Sequence, residues 1–205
     1  MTFPLTLLES ADLLGRYRYV ELAAFAVLGE RSARCERAAL AVYLSAASRA
    51  HAWRAELFER QLPVSAGLPG VGECTRSPGP EVDEALALLG SAAEDDLLPM
   101  LLDALYPAML DAYGARLAAA APASDGGLVR ALRRAVADLE AVLADGRALG
   151  APRPGLPVAQ RLGRLVASVG GPFGPLRPGD VAGSRPAVDG ALAAPPAGPG
   201  PRSDP

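Results

Sequence analysis

Apolar residues recur every three or four positions along four long stretches of the chain, the period of an amphipathic helix, and nowhere alternate with the period of two that a strand requires. The first stretch begins near Ser10, an N-cap residue type ahead of Asp12. It carries the row Leu13, Tyr17, Val20/Glu21, Ala24 and Leu28, and is expected to stop around Gly29. The second runs from about Ala33 to Leu62 through Ala39, Tyr43, Ala46/Ala47, Ala50, Trp53/Arg54 and Leu57, and Pro63 ends it. Pro80 opens the third, with Glu81, Asp83 and Glu84 in its first turn, the sign that a helix N-terminus favours. Pro99 and Pro107 are expected to kink or divide that stretch. Its later half shows two adjacent rows: Leu98, Leu102, Leu105, Met109, Ala112 and Arg116, and beside them Asp103, Tyr106, Leu110, Tyr113 and Leu117. Ser124 or Asp125 caps the fourth, which follows Leu128, Leu132, Ala135/Val136, Leu139 and Leu143 and stops between Gly146 and Gly150.

Short connections inside each pair and a long one between pairs describe two helical hairpins packed as an all-α four-helix bundle spanning residues 1 to 149. The linker at 63 to 80 is long enough for a crossover, so crossover and up-and-down topologies both remain open. Composition supports this division. The chain of 205 residues holds 22 Gly and 20 Pro, and 23 of these 42 fall in residues 150 to 205. That C-terminal segment is expected to be a mostly disordered tail, with one short helix from Val158 to Val169 through Leu162, Leu165 and Val166, and no order beyond Gly170.

Charge and rare residue types narrow the chemistry. All 20 basic residues are Arg, so no lysine is present for a Schiff base or a phosphate-binding loop. Cys35 and Cys74 form no C-x-x-C pair, which argues against a disulfide scaffold or a structural zinc site and fits a reducing cytoplasm. Neither thiol has a neighbouring His or basic cluster that would mark a nucleophile. No apolar run is long enough to span a membrane and the N-terminus lacks a signal-peptide pattern, so a cytoplasmic location and no membrane partner are expected. The tail carries six Arg against three Asp, which leaves the first 149 residues with 14 Arg against 20 acids. An acidic domain without a basic recognition helix is not expected to bind nucleic acid.

Glu21 is the most informative position, because it falls inside the apolar row of the first helix, and a buried carboxylate needs a partner. The string Tyr17-Arg18-Tyr19-Val20-Glu21, the string His51-Ala52-Trp53-Arg54-Ala55-Glu56-Leu57, and the Asp125-Gly126 turn followed by Arg130-Ala131-Leu132-Arg133 resemble the ferritin-like superfamily. The likeness is to the small ferritin-like proteins of high-GC bacteria, over roughly residues 8 to 149. It implies a four-helix bundle around a buried pair of iron or manganese ions, with a carboxylate from each of two helices and a Glu-x-x-His pair from each of the others. Glu21 matches the first-helix carboxylate and His51 the second-helix histidine. There the match ends: position 48 is Ser48, Glu56 lies about 140 degrees around the helix from His51, and His51 is the single histidine of the chain. The likeness also implies a His near position 116 and an acid near 139, where this chain has Arg116 and Leu139. Asp138 and Glu140, flanking Leu139, are expected to face solvent.

These residues suggest that the metal site is lost and that guanidinium charge replaces metal charge. Arg54 and Arg116 both occupy apolar-row positions, and one or both are expected to pair with Glu21 in the core. The function that follows is a non-catalytic, metal-free interaction or structural protein, binding a second copy or another protein through helix faces, with the extra apolar row of the third helix as one such face. The alternative is a ferritin-like metal-dependent oxidoreductase or iron-binding protein with an atypical site built from Glu21, His51, Glu56 and Asp103.

Overall fold

The computed structural model describes residues 5–121, 123–150 and 156–175, and every regular element among them is helical. The described residues form eight α-helices and one π-helical segment, of which α3 lies in the expected linker and α8 in the expected tail: α1 (Leu7–Arg34), α2 (Ala38–Glu59), α3 (Val71–Cys74), α4 (Pro80–Ser91), α5 (Glu94–Met100), the π segment (Leu101–Leu105), α6 (Tyr106–Ala119), α7 (Gly126–Leu149) and α8 (Pro157–Ser168). Among the described residues no helix is long and apolar enough to cross a membrane.

The ends of α1 differ from expectation for identifiable reasons. Its N-cap is Thr6, not Ser10: the Thr6 hydroxyl accepts from the Glu9 amide while the Glu9 carboxylate accepts from the Thr6 amide, a reciprocal capping box. Gly29 does not end the helix. A Cβ there would lie 3.2 Å from the Ser48 hydroxyl oxygen on α2, so this glycine serves close helix approach. The Ser48 hydroxyl itself donates to the Phe25 carbonyl of α1 at 2.8 Å. Beyond Arg34 the turn into α2 is held by Glu94, whose carboxylate accepts from the amides of Glu36 and Arg37 and from the Arg37 guanidinium.

The segment after Pro63 is more than a connection. It forms α3 and lies on α1 at Gly15, where an added Cβ would come within 1.9 Å of the Cys74 carbonyl oxygen. Only a glycine lets the two backbones meet this closely. Arg18 donates to Thr75, and Arg76 pairs with Asp12, fastening the strap at both sides of that contact.

The third stretch is divided, but not at its prolines: Pro99 lies inside α5 and Pro107 in the first turn of α6, and the chain is helical without a break from Glu94 to Ala119. The chain extends at Ala92 and Ala93, restarts at Glu94, and then widens into the π segment. Pro107 has no N–H to give to the carbonyl four residues back. Just before it the Tyr106 amide reaches Leu101, five residues back. The register shift turns both apolar rows inward at once: Leu102, Leu105 and Met109 are buried, and so are Tyr106 and Tyr113. Leu110 and Leu117 are half-buried against the core, so this helix offers little of the free apolar face expected of it.

The helices close on one another in a ring: α1 packs on α2, α2 on α7, α7 on α6 and the π segment, the π segment on α8, α8 on α4 and α4 back on α1. Gly146 permits the α7 seam, since a Cβ there would meet both Leu102 and the Tyr43 hydroxyl at 2.6 Å.

The largest correction concerns the expected tail. The short helix is present as α8, but it and the turn after it belong to the core, which therefore does not end at residue 149. Phe173 is 1% exposed, with its ring centroid 4.4 Å from that of Tyr17 and 4.9 Å from that of Tyr113. Gly170, Gly171 and Gly174 take positive φ and shape the turn that delivers this ring. The rest of the expected tail, residues 151–155 and 176–205, lies outside the described residues.

Phe173→Ala should therefore cost about 3 to 5 kcal/mol of stability, as removal of a fully buried aromatic ring does. Urea unfolding of the full chain measures it. An unchanged midpoint would place residues 156–175 outside the cooperative core.

Candidate functional site

Where α1, α2, α6 and α7 meet, the apolar interior gives way to a cluster of charged and polar side chains. α1 contributes Glu21 from its core row. α2 contributes His51 and Arg54, three residues apart and so on one face. All three are fully buried. The geometry around the carboxylate is complete: Oε2 accepts from His51 Nδ1 at 2.5 Å, and Oε1 accepts from Arg54 Nε at 2.9 Å and from the Tyr113 hydroxyl of α6 at 2.5 Å. Arg54 extends further, and its Nη1 pairs with Asp138 Oδ2 on α7. One guanidinium thus lies between two carboxylates carried by different helices.

The electrostatics follow from burial and from this arrangement. Removal from water pushes the Glu21 carboxyl up, but the Arg54 guanidinium, with His51 beside it, outweighs that and holds it at about 2. For His51 the balance goes the other way. Burial, and then the positive Arg54, both disfavour a second buried cation, and its pKa falls below the ordinary value. His51 is therefore neutral at pH 7. Because Glu21 only accepts, the imidazole proton is assigned to Nδ1, which leaves Nε2 as the bare nitrogen. The phenols of Tyr113 and Tyr106 are pushed well above their ordinary value, first by burial and then by the negative or phenolic group beside each. Tyr17, Phe58, Tyr113 and Phe173 pack tilted, edge to face or stacked at centroid distances of 4.4 to 5.5 Å, and this aromatic wall keeps water from the Glu21 side of the cluster.

The expected site residues separate into those brought together and those kept apart. Glu21, His51 and Arg54 meet. Arg116 does not join them: it occupies the last turn of α6, and its Nη2 reaches Asp125 at 2.9 Å. Asp125 also accepts from the Ala121 amide, so Arg116 serves the turn into α7, while Tyr113, one turn earlier, fills the place at Glu21. Glu56 is exposed and pairs with Arg60 at 3.2 Å. Asp103 sits half-buried on the π segment. Among the described residues no three His, Cys, Asp or Glu side chains gather in a way that would hold a metal ion, so the set Glu21, His51, Glu56 and Asp103 is not one site.

Two members of the cluster differ from their expected roles. Tyr113 does line the core, but it also donates to the central carboxylate. Asp138 turns inward onto Arg54 rather than to solvent, whereas Glu140 is exposed. A signal for Asp138 exists in the sequence: Ala131, Ala135, Asp138 and Val142 fall at intervals of four, three and four, a second inward row that the acid interrupts exactly as Glu21 interrupts that of α1.

Chemically this arrangement binds its own parts. Every oxygen of Glu21 is engaged, the tyrosines are held protonated, and Cys35 and Cys74 both have thiols raised by burial, so neither is a ready thiolate at neutral pH. Comparison with protein-family models, with curated proteins and with solved structures found no match.

Two predictions follow from the cluster. Glu21→Gln, or Arg54→Met, should each destabilise the fold by about 3 to 5 kcal/mol: the second leaves buried Glu21 without its cation, and the first leaves buried Arg54 with only the partly exposed Asp138. The double variant should lose clearly less than the two losses added together, since it removes both charges; a wild-type melting temperature in Glu21→Gln would refute the pairing. The second concerns pH. His51, held neutral, contributes stability that is complete above its ordinary value of 6.5 and is lost as pH falls below it, because the unfolded chain takes up a proton that the folded one resists. Glu21, held at about 2, contributes stability that is complete above its ordinary 4.5 and is lost as pH falls toward 2, on the order of 3 kcal/mol. Thermal melts from pH 8 to pH 3 should show the first loss in wild type and not in His51→Gln; equal slopes in the two proteins between pH 7 and 5 would show that His51 does not titrate this way.

Proposed function

We propose that this chain is a ferritin-like helical bundle in which the Arg54 guanidinium takes the place of a metal pair, and that it works as a non-catalytic interaction or structural protein. The observation that carries this reading is the occupation of Glu21: His51, Arg54 and Tyr113 satisfy both carboxylate oxygens from three directions. A di-metal centre needs several carboxylates and imidazoles converging on two cations. These side chains instead converge on each other, and the residues present do not fit iron or manganese. The α1, α2, α6 and α7 meeting point supplies the four helical walls such a bundle needs. The elements beyond those four are the strap α3, the short α4, α5 and α8, and the π segment.

A binding role is supported by the outer surface, where α2 leaves Val42 and Trp53 exposed while the core cluster is sealed. Elemental analysis of protein purified from iron- and manganese-replete medium tests the metal-free reading. We expect both metals far below one per chain, at about a tenth or less even with excess supplied. Near-stoichiometric iron or manganese would overturn the reading and favour the oxidoreductase or iron-binding alternative.

A further inference from the structure

Among the described residues, the outer face of α2 has no neighbouring element packed over it. Val42, Ala46, Arg49, Trp53, Glu56 and Arg60 follow each other along α2 at intervals of four, three, four, three and four, so they form a single stripe, and all six are exposed. The opposite side of α2 carries Leu44, Ala47, His51 and Phe58 into the core. Val42 is 70% exposed and Trp53 42%. A half-exposed Trp in mid-helix, flanked by charges, is the kind of side chain that anchors protein interfaces.

The charges on this stripe are arranged in a way that selects a partner. Arg49 lies one turn before Trp53 and Glu56 one turn after it. Read from the other end, the order positive, Trp, negative becomes negative, Trp, positive. A second copy of α2 laid antiparallel about a two-fold axis near Trp53 therefore sets Arg49 against Glu56 twice, each about 5 Å along the helix from the axis. A parallel copy would set like charges against each other. Among the described residues Arg49 has no carboxylate partner, and Glu56 has only the exposed pair with Arg60, which contributes little by itself. The shoulders of the stripe, Ser45, Ala50 and Ala52, are small and half-buried and so allow two helices to approach closely. Beside the stripe α1 adds Phe25, also exposed, at the level where Ser48 joins the two helices.

We infer that this chain pairs with a second copy of itself through the outer stripe of α2. The two helices run antiparallel, Trp53 packs against the second copy's Trp53 at the axis, and two Arg49 to Glu56 pairs flank it. This rests on the interaction role proposed above and names its partner and its surface. Burial of the indole rings supplies most of the association free energy, while the exposed ion pairs set orientation and register.

Sedimentation velocity on the full chain tests it, with circular dichroism confirming that each variant is folded. Wild type should dimerise at or below about 10 µM. Trp53→Ala and Arg49→Glu should each weaken dimerisation by about tenfold or more. The double charge swap Arg49→Glu with Glu56→Arg should restore it to within about threefold of wild type, which a general loss of stability would not do. A wild-type protein still monomeric at about 100 µM, or a dimer insensitive to both single variants, would overturn the inference and leave that face to a different partner or to none. These outcomes are independent of the metal analysis, so failure of the dimer and failure of the metal-free reading are separable.

Discussion

Glu21 is a carboxylate with no access to water, and the rest of the interior is arranged around satisfying it. An ionised group in that position costs several kcal/mol unless opposite charge and hydrogen bonds surround it. Here they come from three helices: His51 and Arg54 on α2 and Tyr113 on α6, with Asp138 on α7 balancing the far end of the same guanidinium. Apolar side chains pack in many alternative registers at similar energy. A carboxylate with three directional donors accepts one. The cluster therefore sets how α1, α2, α6 and α7 stand against each other, a role of buried polar groups that is well attested in helical assemblies.

Such a cluster closes only if the backbones around it come near enough, and three kinds of local feature allow that. Gly29, Gly15 and Gly146 sit where a Cβ would meet, in turn, the Ser48 hydroxyl, the Cys74 carbonyl, and both Leu102 and Tyr43. The π segment ahead of Pro107 shifts the register of the third stretch, so that Tyr106 and Tyr113 face inward together with Leu102 and Met109. Finally, α8 and the turn behind it press Phe173 onto Tyr17 and Tyr113, completing the aromatic wall beside Glu21. Each of these costs something locally, in backbone entropy or in a widened helix turn, and the sealed interior offsets it.

The same sealing separates what the interior does from what the surface does. A group whose charge is matched on every side orients its neighbours but offers little to a substrate. A metal centre would need those carboxylate oxygens turned toward a bound cation. In this chain Arg54 is already the cation, covalently part of α2 and unable to leave. The outward half of the same helix exposes an indole, a guanidinium and a carboxylate in line. One helix thus carries both the internal tie and the external face.

Much of this is legible in the residues themselves. The 3.6-residue period announces the helices, Glu21 and Arg54 stand out as charges in apolar rows, and Pro63 with the Gly-rich connection after it marks where the second helix ends. That is so because periodicity, helix-breaking and the cost of a buried charge are properties of a residue and its near neighbours. What stayed hidden depends on atoms far apart in the chain. Gly29 and Gly146 look like helix ends until the opposing helix is in place. Thr6 and Ser10 are both fair N-caps until Glu9 closes one box. Phe173 belongs to a stretch whose composition reads as solvent-exposed chain until Tyr17 and Tyr113 meet its ring. Arg116 and Tyr113 lie one turn apart on α6, and only the position of Asp125 decides which of them reaches Glu21. By itself the sequence determined that the chain is helical and that a carboxylate must be matched inside it; the tertiary structure decided which side chains match it, because pairing is a matter of distance and angle between helices, which no local pattern encodes.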